Sequence, residues 1–157
     1  MTEREIQITY QEFASIEELN PEDRELAAEA VKAMQGSYAP YSHFNVGAAV
    51  RMSNGQIVRG ANQENAAFPS GLCAERTAMF SASARYPDKD MCSIAIAGGV
   101  MGRLAAEPVT PCGACRQVMA QYQAKSGKPM SVLMLSADKI LKFGKVDDIL
   151  PLIFNSI

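Results

Sequence analysis

The sequence predicts an α/β fold: a three-layer α/β/α sandwich with a mixed five-stranded sheet whose last two strands are antiparallel. Two observations lead to this class. Segments with helical apolar spacing alternate with short apolar runs of strand length, and helices on both faces of a sheet bury both kinds of element. Two pairs of neighbouring strands are joined by links too short for a crossover helix, so we expect each pair to be antiparallel. The length of 157 residues fits one domain with a substantial core.

The first predicted helix begins at Pro21. Asn20 is a favourable N-cap, proline suits the first helical position, and acidic residues fill the first turn. Apolar residues then recur on one face until Gly36 ends the helix. We therefore divide the chain into an N-terminal arm or extension, residues 1–20, and a single domain, residues 21–157.

A hairpin, a helix and a buried strand follow. The predicted strands Val46–Arg51 and Ile57–Ala61 flank an Asn-Gly pair, which is the strongest short hairpin signal. The segment Cys73–Arg85 contains no helix breaker and is predicted to be helical. The short apolar run Ser93–Ala97 then has the character of a buried strand.

The last third of the chain repeats this alternation. A helix is predicted over Gly113–Ala124, and two strands over Ser131–Leu135 and Ile140–Phe143. Only residues 136–139 join these two strands. Because parallel strands need a connection of a dozen or more residues, the final pair should be an antiparallel hairpin.

Charge and cysteine content exclude several functional classes. Fifteen Lys and Arg against 17 Asp and Glu give a net charge of −2, so we expect no nucleic-acid partner. The first residues lack a secretory pattern and no apolar stretch approaches the roughly 20 residues of a membrane span, so we expect a cytoplasmic protein without a membrane partner. Four cysteines are too few for a disulfide scaffold. One histidine, His43, excludes a metal site with two imidazoles from one chain.

Three of the cysteines stand where two predicted helices begin. Cys73 opens one helix, and Cys112 and Cys115 lie three residues apart at the start of another, so their sulfurs face the same side. A helix N-terminus favours the thiolate, which is the form that binds metal. Zinc accepts three such ligands and keeps a fourth position open when it is catalytic.

Glu75 supplies a carboxylate beside this site. Residues two apart on a helix diverge by about 200°, so Cys73 and Glu75 both face the metal only if Cys73 lies at the cap. A carboxylate there can take a proton from a metal-bound water and return it to a substrate nitrogen. Arg76, next to it, offers a positive charge against the three thiolates, and Arg116 is a second candidate for that role.

Two other interpretations of the cysteines remain open on spacing alone. A Cys-x-x-Cys pair also occurs as a redox pair or as half of a structural zinc knot, which Cys92 would complete. Because Cys92 adjoins a predicted buried strand, we expect it to be a small core residue instead. The combination of Cys-x-Glu with Pro-Cys-x-x-Cys is typical of zinc nucleobase deaminases, with cysteine replacing the commoner histidine.

Motifs that are specific in combination run through most of the chain. They are Tyr38-Ala39-Pro40-Tyr41-Ser42-His43-Phe44, Val46-Gly47-Ala48-Ala49, Asn62-Gln63-Glu64-Asn65, Cys73-Ala74-Glu75-Arg76-Thr77-Ala78, Pro111-Cys112-Gly113-Ala114-Cys115-Arg116-Gln117 and Leu150-Pro151-Leu152-Ile153-Phe154. On these motifs, from about Glu22 to Phe154, the chain resembles cytidine deaminases of the free-nucleoside, homotetrameric type.

The resemblance implies an activity and a set of site residues. The activity is hydrolytic deamination of cytidine and deoxycytidine in pyrimidine salvage, by a zinc-bound hydroxide with Glu75 as the proton shuttle. One zinc ion per chain would be bound by Cys73, Cys112 and Cys115. The implied substrate contacts are Asn62 and Glu64 with the ribose, Phe44 with the base, the backbone around Ala74 with the amide edge of the pyrimidine, and Phe154 with the base in a neighbouring subunit's site.

The sequence departs from the usual pattern of the family at two points, and three alternative functions are also considered. Phe68 stands where many members have tyrosine, and only three residues follow Phe154 where members usually have an acidic tail. Blasticidin-type deaminases share the zinc motifs but lack the Asn-x-Glu-Asn element, which is intact here. Deaminases of RNA or DNA usually have a histidine ligand, a basic surface and parallel final strands. A non-enzymatic structural-zinc protein is the third alternative.

Overall fold

The computed structural model describes residues 1–155 and shows one mixed sheet with three α-helices. The five predicted strands and three predicted helices are all present, close to their expected bounds. The elements are β1 (Tyr10–Phe13), α1 (Pro21–Ala33), β2 (Asn45–Met52), β3 (Ile57–Ala61), α2 (Ala74–Arg85), β4 (Met91–Val100), β5 (Arg103–Leu104), α3 (Gly113–Ser126), β6 (Ser131–Leu135) and β7 (Ile140–Phe143).

The sheet has two strands more than the sequence predicted. Its order is β1-β7-β6-β4-β2-β3, and β5 pairs with β4 outside this path. Neither extra strand was predicted: β1 lies in the N-terminal segment, whose mixed polar and apolar residues suit a strand or an arm equally, and β5 has only two residues. The α/β class with a mixed sheet is confirmed.

Strand directions follow from the lengths of the connections. β6 and β7 pair antiparallel, as the four-residue link predicted, and β2 and β3 form the predicted hairpin. Gly55 takes a positive φ of 83° in that hairpin turn, a conformation that glycine adopts without strain. β4 and β6 pair parallel, and α3 forms the crossover between them. The N-caps of α2 and α3 lie close together, since the side chains of Cys73 and Cys112 are in contact.

Helices cover both faces of the sheet, which confirms the three layers. On one face α1 buries Leu26, Ala27 and Ala30 against the alanines and leucines of β2, β4 and β6. On the other face Met79 of α2 and Met119 of α3 pack against the valines, isoleucines and methionines of the same strands. Within residues 1–155 no helix has both the length and the apolar character to cross a membrane.

The first helix is fixed at its N-terminus as the sequence predicted. The Asn20 side chain accepts a hydrogen bond from the Asp23 backbone N–H at 2.9 Å. The carboxylate of Asp23 is buried and forms an ion pair with Lys142 of β7. The arm before this helix contributes β1, which pairs with β7 in the register Tyr10 opposite Phe143.

Gly60 of β3 sets how closely α2 approaches the sheet. A Cβ atom at this position would lie 2.3 Å from the backbone nitrogen of Ala78 and 2.8 Å from the carbonyl oxygen of Ala74. Real Cβ atoms do not approach backbone so closely, so the first turns of α2 rest directly on the bare strand. The position of the first residues of α2 relative to the sheet therefore depends on a glycine at position 60.

We expect Gly60→Ala to lower the free energy of unfolding by about 1–3 kcal/mol, because α2 must move away from β3 to admit the methyl group. Urea denaturation monitored by circular dichroism measures this change. The control is Gly144→Ala, where an added Cβ has no atom within 4 Å, and it should stay within about 0.5 kcal/mol of wild type. Equal stability of the two variants would contradict the close approach.

Candidate active site

Two helix N-termini converge on the cysteine cluster. Cys73 is the N-cap of α2, with φ −68° and ψ 156°, and Cys112 is the N-cap of α3, with φ −67° and ψ 165°. Both residues have the extended backbone of an N-cap, and neither side chain forms a capping hydrogen bond. This is the cap position that the Cys73–Glu75 spacing required. The positive ends of two helix dipoles meet at these sulfurs and favour their thiolate forms.

The three sulfurs have the spacing of a zinc site. Cys73 Sγ lies 3.8 Å from Cys112 Sγ, which lies 3.5 Å from Cys115 Sγ, and all three sulfurs are within 4.8 Å of one another. Sulfurs at 2.3 Å from a tetrahedral zinc are about 3.8 Å apart. The donor set also suits zinc, which binds thiolates tetrahedrally. The residues present therefore fit a zinc ion.

Cys92 is not part of this cluster, and the prediction that it is a core residue is wrong. Its side chain is exposed, and the cluster formed within residues 1–155 contains only the other three cysteines. The reason is a bulge: Arg51 pairs with Ser93 while Met52 pairs with Met91, so Cys92 is an extra residue in β4. A zinc knot closed by Cys92 is thereby excluded.

Arg76 is the cation at the cluster. Its Nη2 atom donates to Cys73 Sγ at 3.5 Å, and its buried Nε has no hydrogen-bond partner within residues 1–155. A hydrogen bond from the Cys115 thiol, with the bond from Arg76, lowers the pKa of Cys73 to about 5. The pKa of Cys115 rises instead, because it shares a hydrogen bond with Cys73 and is buried. Cys73 therefore becomes a thiolate more readily than Cys115 does.

Arg116 does not face the sulfurs. Its Nε donates to the Pro111 carbonyl and its Nη1 to the Ile149 carbonyl, both at 2.8 Å. The guanidinium thus holds the loop before α3 against the C-terminal segment. Of the two arginines considered for charge compensation, only Arg76 donates to a cysteine.

Glu75 lies in the first turn of α2 beside the sulfur cluster and is only 4% exposed. Burial raises its pKa above the usual range for a carboxyl, and the neighbouring Cys73 charge acts in the same direction. A raised pKa brings a carboxyl closer to neutral pH, where it can both accept and donate a proton.

A cavity of about 390 Å³ opens beside the cluster. Cys73 and Arg76 form one end of it, and two loops form the rest. The lining residues are Tyr41, Ser42, Asn62, Gln63, Glu64, Asn65, Phe68, Gly71, Leu72, Cys73 and Arg76. The cavity is large enough for a small polar molecule and reaches the sulfur cluster at Cys73.

Glu64 anchors one wall of this cavity. Its carboxylate accepts hydrogen bonds from the Tyr41 backbone N–H at 2.8 Å and from the Ser42 backbone N–H and hydroxyl. The Ser42 hydroxyl is the main cause of a lowered pKa for Glu64. The carboxylate is therefore charged at neutral pH and lies at the cavity surface. Ser42 and Tyr41 were in a recognised motif, but nothing in the sequence indicated that they hold Glu64.

Asn62 lines the cavity, and its side chain also forms hydrogen bonds within the fold. Its Oδ1 accepts from the Ser37 hydroxyl at 2.5 Å and from the Val46 backbone N–H at 2.9 Å, which fills both lone pairs. Its Nδ2 donates one hydrogen to the Phe44 carbonyl at 2.9 Å. Among the described residues nothing accepts from the second N–H of Asn62, which can therefore donate to a ligand.

The other residues expected to contact the substrate, Ala74, Phe44 and Phe154, do not line the cavity. Ala74 is buried at the first position of α2, adjacent to Cys73. Phe44 is half-buried against the backbone of Gly98 and is not among the cavity-lining residues. Phe154 is 67% exposed, and its carbonyl accepts from Gln117 Nε2 at 2.7 Å. His43 is exposed with a φ of 55°, in keeping with the loop position expected for it.

Comparisons with known proteins agree with this geometry. Residues 20–128 match the family model of the cytidine and deoxycytidylate deaminase zinc-binding region. The cytidine deaminase of Halalkalibacterium halodurans is 48% identical over 96 residues, 61% of this chain and 68% of that protein. The cytidine deaminase of Sporosarcina psychrophila is 40% identical over 113 residues, 72% of this chain and 78% of that protein.

Solved structures show the same fold. The crystal structure of cytidine deaminase from Burkholderia pseudomallei has a TM-score of 0.68 and 38% identity, over 83% of this chain and 97% of that one. That from Mycobacterium tuberculosis has a TM-score of 0.68 and 28% identity, over 87% and 100%. With three thiols at two helix N-termini beside a buried glutamate, and with these likenesses, the chain belongs to the cytidine and deoxycytidylate deaminase family.

Proposed function

We propose that this protein is a zinc-dependent enzyme that hydrolyses cytidine and deoxycytidine to uridine and deoxyuridine with release of ammonia. The observation that carries the proposal is the juxtaposition of three cysteine sulfurs with the buried carboxyl of Glu75, where one of the three, Cys73, lines a cavity. The relatives named as cytidine deaminases support the choice of substrate.

Zinc is the cofactor, and Cys73, Cys112 and Cys115 are its proposed ligands. When bound, it supplies a Lewis acid that makes water a nucleophile at neutral pH. Three thiolates bring more negative charge than zinc neutralises, and this excess opposes the ionisation of water. The two helix N-termini and the Arg76 guanidinium at 3.5 Å from Cys73 offset it.

Glu75 carries the protons in the proposed reaction. Its carboxylate takes a proton from the attacking water and delivers it to N3 of the cytosine ring. After the water oxygen has bonded to C4, Glu75 takes the second proton from that oxygen and delivers it to the 4-amino group, so that the C4–N bond breaks, ammonia leaves and the oxygen remains as the 4-oxo group. Both transfers need a carboxyl that gains and loses a proton easily, and the burial that raises the pKa of Glu75 supports that role.

The sugar is held at the other end of the cavity in this proposal. Glu64 offers a charged acceptor and Asn62 one remaining N–H donor, and both line the cavity, so together they can bind the 3′-hydroxyl of the ribose. The backbone around Ala74, beside the metal ligand Cys73, is proposed to read the amide edge of the pyrimidine. Phe44 is proposed to contact the base.

A neighbouring subunit is proposed to complete the site. Phe154 is exposed and absent from the cavity of its own chain, which supports a role in the cavity of another subunit of a homotetramer. Tyr41, Phe68 and Leu72 expose apolar area at the cavity rim, where a second subunit would cover it. We further propose a cytoplasmic location and a role in pyrimidine salvage, and the four reduced cysteines are in keeping with that compartment.

We expect Cys112→Ser to lose zinc and Cys92→Ser to retain one zinc per chain, because only the first removes a ligand. The loss in affinity should exceed the roughly 10–100-fold that removing an outer-shell partner costs. Elemental analysis after dialysis against a chelator measures the zinc content. Retention of zinc by Cys112→Ser would show that the ligand set is wrong.

We expect Glu75→Gln to lower kcat for cytidine by about 10²–10⁴-fold, because the amide cannot carry a proton. The zinc content should stay at one per chain. The assay is loss of ultraviolet absorbance on conversion of cytidine to uridine. Glu107→Gln, which changes an exposed surface carboxylate, is the matched control and should keep wild-type kcat. Turnover by Glu75→Gln near the wild-type rate would refute the assignment.

We expect Glu64→Gln to raise KM for cytidine about 10–100-fold with a smaller change in kcat, because a charged hydrogen bond to the ribose is lost. Ser42→Ala is the control, since it removes a loop hydrogen bond to Glu64 but keeps the carboxylate. Steady-state kinetics of both variants separate the role of Glu64 in binding the ribose from its role in holding the loop. Equal KM values for the variants would mean that Glu64 acts only by holding the loop.

A further inference from the structure

We propose that residues 4–12 form an edge segment through which two copies of this chain pair as antiparallel strands, with Ile8 of one copy opposite Ile8 of the other. This interface lies outside the proposed catalytic function and uses none of the residues that line the cavity. The occupant of the sheet edge is thus a second copy of the same chain.

The edge segment offers free backbone for pairing. β1 is the terminal strand of the sheet, and within residues 1–155 it pairs only with β7. Residues 1–9 are exposed and extend from β1 without a hydrogen bond to the rest of the described chain. An unpaired strand edge is a template for another strand, and proteins usually blunt it with proline, bulges or inward charges. Residues 4–12 contain no proline, and β1 pairs with β7 without a bulge.

The sequence of the edge segment alternates as that of a strand does. In an extended continuation of β1, Ile6, Ile8 and Tyr10, which are 62%, 47% and 52% exposed, would share one face. Gln7 and Thr9 would then lie on the opposite face. The Tyr10 ring lies 5.2 Å from the ring of Phe143, which belongs to the hydrophobic core. The exposed apolar row therefore continues the sheet face that α2 and α3 cover elsewhere. A row of this kind gains from being covered in turn.

The segment is complementary to itself in one register. With Ile8 on the two-fold axis, Ile6 faces Tyr10 and Arg4 faces Glu12, so each interface has two apolar pairs and two ion pairs around the central isoleucines. On the other face Glu5 meets Gln11 and Gln7 meets Thr9, so no like charges are opposed. This self-complementarity is what a two-fold interface requires, and it favours a second copy over a foreign strand.

Neighbouring registers are poorer. An axis at Thr9 places Ile6 opposite Glu12, and an axis at Gln7 leaves Glu12 opposite Thr2 without its cationic partner. A shift by one residue between the copies would set the apolar row against the polar face. The proposal therefore specifies a register as well as a partner, and the register can be tested directly.

Disulfide trapping tests the register in zinc-loaded protein that carries Cys92→Ser. Ile8→Cys should form covalent dimers in a glutathione redox buffer, because opposite strand residues have Cα atoms about 4.5–5.5 Å apart. Gln11→Cys is the matched control, since its two copies would lie about 20 Å apart along the strands. A mixture of Glu5→Cys and Gln11→Cys should cross-link, whereas neither should alone. Equal trapping of Ile8→Cys and Gln11→Cys, or no trapping of Ile8→Cys, would overturn the proposal.

A charge on the axis tests the interface without oxidation. Ile8→Lys sets two ammonium groups opposite each other, so it should weaken self-association about tenfold or more, measured by sedimentation over a range of concentrations. Cytidine turnover at low concentration should be unchanged, because Ile8 neither lines the cavity nor belongs to the sulfur cluster. Identical sedimentation of wild type and Ile8→Lys would contradict the proposal. Loss of activity in both proteins would instead concern the proposed function and leave the sedimentation result readable.

Discussion

The convergence of two helix N-termini on three sulfurs is the constraint on which the rest of the site depends. Thiol groups bind zinc only as thiolates, and three thiolates close together repel one another. Cys73 and Cys112 occupy the caps of α2 and α3, where unpaired backbone N–H groups and the helix dipoles stabilise negative charge. Arg76 adds a full positive charge at Cys73. The fold therefore provides the charge balance before any metal or substrate is bound.

The sheet explains how these two helix ends meet. The parallel pair of β4 and β6 requires a crossover, and α3 is that crossover. α2 begins where it does because Gly60 lets its first turns lie directly on β3. Because Cys73 is the N-cap of α2, Glu75 two residues later lies in the first helical turn, beside the sulfurs. Backbone placement, more than any side-chain contact, thus determines the relation of the carboxyl to the sulfurs.

Much of this arrangement could be predicted from the sequence because it follows from local rules. Cap spacing, an Asn-Gly turn and link lengths predicted the helices, the hairpin and the position of Cys73. Features that depend on tertiary context could not be predicted. The bulge in β4 turns Cys92 outward, and no local signal marks that bulge. Arg116 resembles Arg76 in lying near the start of a helix that a cysteine caps, but one of its two bonds, to the Ile149 carbonyl, depends on a segment 33 residues away.

The hydrogen bonds of Asn62 have a consequence for selectivity. Its carbonyl oxygen is fully used within the fold, so what it presents to the cavity is one donor, while Glu64 beside it presents an acceptor. A group held between the two must both donate and accept a hydrogen bond, as an alcohol does. An ether only accepts, so it would give the Glu64 carboxylate no hydrogen bond from the ligand, and a hydrogen atom in place of the alcohol would bond to neither group. With the sugar contacts proposed above, the cavity would therefore select against nucleoside analogues that are blocked or lack oxygen at that position of the sugar.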